Sequence, residues 1–146
     1  MHPIARAAEL AVAGRLRVET SPNYCLKAVR QVVEHAYGMY PGEFYVWFLT
    51  ESVEENDTEE PWARDLERSM RNQRLAVHGP PKAGDIIFDY RKGWPYGHVA
   101  VMLTDNLVFE NTPTVRGYRG PGALRVCHLS EWGAPTTIVR LPEHLR

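Results

Sequence analysis

From Gly79 to the C-terminus the chain is built of short β-branched runs set between turn residues. "DIIFDY", "HVAVML", "LVFEN", "ALRVCHL" and "TTIVRLP" follow one another, with Pro80, Pro81 and Gly84 as punctuation. Runs of this length and composition read as strands of an antiparallel sheet. Before Gly79 the apolar residues recur at helical spacing instead. The order is helices first and sheet second, which predicts an α+β fold of about five strands. With 146 residues, 44% of them hydrophobic, the chain fits one compact domain spanning 1–146. No repeat, low-complexity tract or long linker divides it.

Four helical segments are expected. In residues 3 to 13, Ile4, Ala7, Ala8, Ala11 and Val12 share one face, and Gly14 is a natural stop. In "SPNYCLKAVRQVVEHAYG", Ser21 is a candidate N-cap, Pro22 suits the first helical position and Gly38 terminates. Leu26, Val29, Val33 and Tyr37 form its buried stripe, leaving Arg30, Gln31 and Glu34 to look outward. "EFYVWFLT", residues 43 to 50, fits helix or strand by periodicity and is assigned to a buried helix. The acidic run from Glu51 to Glu60 leads into "PWARDLERSMRNQRL", where Trp62, Leu66 and Met70 fall four apart. Acids at its start and arginines at its end complement a helix dipole.

The net charge of −1 gives no overall attraction to nucleic acid or an anionic membrane surface. No run approaches the roughly 18 apolar residues of a membrane span. Glu9 interrupts the apolar start and Gly14 with two arginines follows, so no signal peptide is expected. Such a chain is expected to be cytoplasmic at synthesis, with release or secretion by a partner system as the alternative. Two cysteines are too few for a disulfide scaffold and lack paired zinc-ligand spacing, so no metal or cofactor is expected.

Chemistry concentrates in two places. Cys25 falls in the first turn of a helix, where the positive end of the dipole and unpaired N–H groups favour thiolate over thiol. The same N–H groups suit the oxyanion formed when a thiolate attacks an amide. The plain alternative is a buried helical cysteine. His98 opens a strand on which His98, Ala100 and Met102 share one face and Val99, Val101 and Leu103 the other. The next strand carries Glu110 and Asn111. If "TDN" is a three-residue loop, Ala100 pairs with Glu110, which then lies diagonal to His98 on the same face. If Asp105-Asn106 is a two-residue turn, Ala100 pairs with Asn111. In either register a polar group orients the imidazole, which is the nucleophile, base and orienter logic of a cysteine hydrolase.

The order Cys25, then "GDIIF", then "GHVAV", then a polar residue twelve positions after the histidine, resembles the NlpC-type cell-wall cysteine peptidases and the related CHAP amidases. The likeness covers about residues 21 to 112. It implies a papain-like fold with Cys25 as nucleophile, His98 as general base and Glu110, or its neighbour Asn111, as third residue. It also implies a peptidoglycan peptide as substrate and a peptidase or amidase as the activity; with no export signal expected, such an enzyme would be a phage-type lysin or a secreted effector. Where the family has "D-C-S-G" around the nucleophile this chain has "N-Y-C-L", and residues 39 to 79 carry no family motif. Tyr24, preceding the thiol, is expected to line the pocket or donate a hydrogen bond there, the plain alternative being an aromatic that only packs. A monomer is expected. The competing readings are an acyltransferase or deamidase acting on a protein or lipid, and a non-catalytic binding or assembly module.

Among other candidates, Asp85 is expected to fix the turn after Gly84. Cys127 and His128, adjacent on a strand, point to opposite faces. His2, His35, His78 and His144 are expected at the surface.

Overall fold

Pro3 opens the first helix, α1 (Pro3–Val12), because its missing N–H and fixed φ suit a first helical position. A computed structural model describes residues 1–20, 24–50, 62–89, 97–112 and 123–145. His2 caps α1 and is not the surface residue expected. Its Nδ1 accepts from the Ile4 N–H at 3.2 Å and its Nε2 lies 3.0 Å from the Leu141 carbonyl, which ties the start of the chain to its end. Ile4, Ala5, Ala7, Ala8 and Ala11 are buried, but Val12, in the last turn, is exposed.

Helix α2 (Cys25–Tyr37) begins later than expected. Tyr24 is its N-cap and Cys25 its first residue, so Ser21 does not cap it; Ser21 and Pro22 lie outside the described residues. Gly38 ends it at φ +65°, the left-handed conformation that glycine adopts without strain. Leu26, Val29 and Val33 are buried as their spacing predicts. Arg30 and Glu34, expected to face outward, are buried too. The reason is the next helix, α3 (Glu43–Phe48): Glu34 Oε2 accepts from the Gly42 and Phe44 N–H groups at 2.7 and 3.3 Å, and Arg30 Nη1 donates to Glu34 Oε1 at 2.7 Å. A carboxylate buried at a helix start is satisfied by the N–H groups there. Gln31 is also engaged, its Oε1 accepting from the Glu19 N–H at 2.7 Å. The assignment of α3 to a helix holds, but only one side is buried: Phe44 and Phe48 point in, Val46 and Trp47 out.

Helix α4 (Ala63–Asn72) buries Leu66 and Met70. Trp62 stands before it as N-cap, so it precedes the stripe. Asp65 lies in the first turn and Arg71 in the last, as dipole capping predicts. The acidic residues 51 to 60 lie outside the described residues.

The sheet has six strands. They are β1 (Ala76–Val77), β2 (Ile86–Asp89), β3 (His98–Met102), β4 (Leu107–Thr112), β5 (Ala123–His128) and β6 (Thr137–Val139), in the order β1-β6-β2-β3-β4-β5 and antiparallel throughout. The strand beyond the expected five is β1, two residues pairing with β6. Leu129, expected within a strand, instead begins a short helix, α5 (Leu129–Trp132).

The central strands are buried on both faces. On one side Ile86, Phe88, Val99, Val101 and Phe109 join the residues of α1 and α2 in the main core. On the other, Ile87, Ala100, Met102, Val108, Cys127 and Trp132 form a smaller one. This is the alternation foreseen for β3. Asp85 fixes its turn, accepting the Lys82 N–H at 2.8 Å, and also takes both arms of Arg140 at 2.9 and 2.8 Å. Among the described residues no helix is long and apolar enough to cross a membrane.

Candidate functional site

The turn between β3 and β4 sets the register. The Leu103 N–H donates to the Leu107 carbonyl at 2.8 Å, and Thr104 Oγ1 accepts from the Asn106 and Leu107 N–H groups at 3.2 and 3.0 Å. Thr104, Asp105 and Asn106 are therefore a three-residue loop. Val101 pairs with Phe109 and Met102 with Val108, so alternation along β4 puts Glu110 on the face of Val108 and along β3 puts His98 on the face of Met102. Glu110 shares a face with His98, and its Oε1 lies 2.6 Å from His98 Nε2. Asn111 sits on the other face of β4, fully buried and opposite Leu124 of β5.

Cys25 reaches this pair from the helix side. β3 pairs with β4 at Val101–Phe109 and Met102–Val108, although both strands run farther toward His98 and Thr112. Beyond Val101 the Val99 N–H turns to the Cys25 sulfur, which also takes the Leu26 N–H and a hydrogen bond from His98. Since Nε2 of His98 is committed to Glu110, Nδ1 is the nitrogen left for the thiol.

Charge follows from these contacts. Burial pushes the Cys25 thiol up, but the hydrogen bond and charge of His98 and the Val99 and Leu26 N–H groups outweigh it, and the thiol is held below its usual range. Burial alone makes His98 less basic. Hydrogen bonds and charge from Cys25 and Glu110 reverse this, and His98 is pushed up to about 10. Glu110, only 2% exposed, is raised by burial but held below the usual carboxylate range by His98, Arg125 and Trp132. The three groups favour thiolate, imidazolium and carboxylate.

The surroundings of Glu110 were not foreseen. The Trp132 ring stacks on His98 with centroids 6.0 Å apart and planes at 29°, and its Nε1 donates to Glu110 Oε1 at 3.3 Å. Arg125 Nε donates to Glu110 Oε2 at 3.3 Å. Cys127, the second thiol, lies 3.7 Å from the same oxygen and accepts from Arg125 Nη2 at 3.4 Å. Alternation in "ALRVCH" puts Arg125 and Cys127 on one face, but only the β4–β5 register, Glu110 with Arg125 and Val108 with Cys127, shows that it is the face of Glu110. Asp89 was missed as well. It is fully buried and directly opposite His98 on β2, hence on the same face, where the alternation of "DIIFDY" places a carboxylate at an interior position.

Tyr24 stands beside Cys25 at the helix start, and the Lys27 ammonium lies 5.3 Å from its ring centroid. His35, His78, His128 and His144 are exposed and lie apart from the buried site. Among the described residues no cluster of three or more His, Cys, Asp or Glu side chains is arranged to hold a metal ion.

The structure thus brings Cys25, His98 and Glu110 together and turns Asn111 away. No protein-family model, characterised protein or solved structure matches the chain.

Proposed function

We propose that the chain is a cysteine hydrolase of papain-like type that cleaves an amide bond in peptidoglycan through a thioester. The observation that carries this reading is the continuous line Cys25, His98, Glu110, in which a helix-start thiol meets an imidazole held 2.6 Å from a buried carboxylate. The resemblance of "GDIIF" and "GHVAV" to NlpC-type and CHAP enzymes supports peptidoglycan as the substrate class.

In the first half-reaction His98 holds the proton taken from Cys25 and the thiolate attacks the amide carbon. The carbonyl electrons move to oxygen. The Cys25 N–H, which has no carbonyl four residues back within the helix, donates to that oxyanion, while the Leu26 N–H stays on the sulfur. As the tetrahedral intermediate collapses, the C–N bond breaks and His98 gives its proton to the leaving amine. In the second half-reaction His98 takes a proton from water as the oxygen attacks the thioester carbon; the C–S bond then breaks, the carboxylic acid leaves and the thiolate–imidazolium pair is restored. Glu110 keeps the ring oriented and stabilises its charge throughout.

The test is digestion of purified peptidoglycan by wild type and Cys25→Ser, with fragments identified by mass spectrometry. Wild type should release fragments, and the variant at least about a thousandfold more slowly. Identical fragment profiles from the two proteins would sink the reading.

A further inference from the structure

Glu110 is a shared carboxylate. Its Oε1 serves His98 and Trp132, while its Oε2 serves Arg125 and Cys127. Arg125 lies on β5, an edge strand, with its side chain 30% exposed, whereas Glu110 is buried at 2%. We propose that Arg125 is a positioning residue that draws off one oxygen of Glu110 and so limits how tightly His98 holds its proton.

The inference rests on the hydrolase reading for its purpose, because the imidazole must both take a proton and release it to the leaving amine. A carboxylate with no counter-charge, bound to a buried imidazole, would make the imidazolium a reluctant acid. An arginine is suited to the opposing part, since it stays charged at every relevant pH and fixes its donors in a plane. Its Nε faces the carboxylate and its Nη2 faces Cys127, so two contacts hold it in place. Among the described residues, the titratable or charged groups facing His98 and Glu110 are Cys25 from α2, Asp89 from β2, and Arg125 and Cys127 from β5. From α5 comes the neutral Trp132, and its neighbour Glu131 is exposed. Arg125 is the permanent cation in this set.

The experiment follows the imidazole nitrogens of His98 by NMR through a pH titration of 15N-histidine-labelled protein, with the His98 signal identified by its loss in His98→Gln. Arg125→Gln and Arg125→Met both remove the charge. Each should raise the His98 midpoint by about half a unit to one unit, since a unit charge near a partly exposed site is worth about that much. Arg125→Lys keeps the charge and should leave the midpoint within about 0.2 units of wild type. A simple packing role would not produce this split between charged and neutral replacements. A midpoint that stays put or falls in both neutral variants overturns the proposal. The titration needs no substrate, so its failure is separate from a failure of wild type to digest peptidoglycan, which overturns the hydrolase reading alone.

Discussion

At the scale of residues, the choice between Glu110 and Asn111 shows how one backbone position decides chemistry. Neighbours on a strand face opposite ways, so only one of the two can meet His98. The three-residue loop selects Glu110. Replacing it with Gln keeps a hydrogen-bond acceptor on Nε2 but removes the charge that favours imidazolium. Glu110→Gln should therefore lower kcat for wall digestion by about 10- to 100-fold with little change in KM. Asn111→Asp, which changes charge on the other face, should not reproduce that pattern. A kcat loss confined to the Asn111 variant would show that the wrong residue has been assigned. The pair itself was legible from strand parity. The decision between its members was not, because both registers leave the hydrophobic pattern tolerable and the turn residues Thr104, Asp105 and Asn106 suit either length.

At the scale of elements, the site depends on the start of α2 meeting β3 near Val99, beyond the last β3–β4 pair, Val101 with Phe109. Helix α2 was legible from its stripe and from Gly38, and its packing on the sheet from the order of helices and strands. Its first residue was not, since Ser21 followed by Pro22 carries the cap signal in the sequence and Tyr24, the observed N-cap, carries none. The burial of Glu34 was hidden for a similar reason: its partners, the Gly42 and Phe44 N–H groups, are supplied by another element. That contact has a measurable consequence. Glu34→Ala leaves two N–H groups and the buried Arg30 without their carboxylate, so it should destabilise the fold by about 3 kcal/mol and lower Tm by roughly 10 °C in a thermal melt. A change below about 0.5 kcal/mol, usual for surface positions, would mean that the carboxylate is not structural.

At the scale of the whole molecule, the α+β architecture and the antiparallel sheet follow from the change of pattern near Gly79. The contacts of Arg125, Cys127 and Trp132 with Glu110 were out of reach of the sequence, because they depend on how β5 registers on β4 and where α5 places its ring. Cys25 likewise gains its character from groups far away in sequence: Val99 and His98 from β3, and Glu110 through His98. Thiolate character in Cys25 is therefore a property of the folded chain. The most direct measurement is the rate at which iodoacetamide alkylates Cys25 from pH 6 to 8, read on the Cys25 peptide by mass spectrometry, in native protein and in urea-unfolded protein. A free cysteine of pKa about 8.5 gains close to tenfold in thiolate per pH unit over this range, so the unfolded chain should show that slope. With its thiol already held low by His98, the native protein should react at a rate that is nearly flat with pH, and His98→Gln should restore the slope. Partial burial of Cys25 scales the rate but not the slope. If native Cys25 gains tenfold per unit as the unfolded chain does, the thiol is not activated and the account of the site is contradicted.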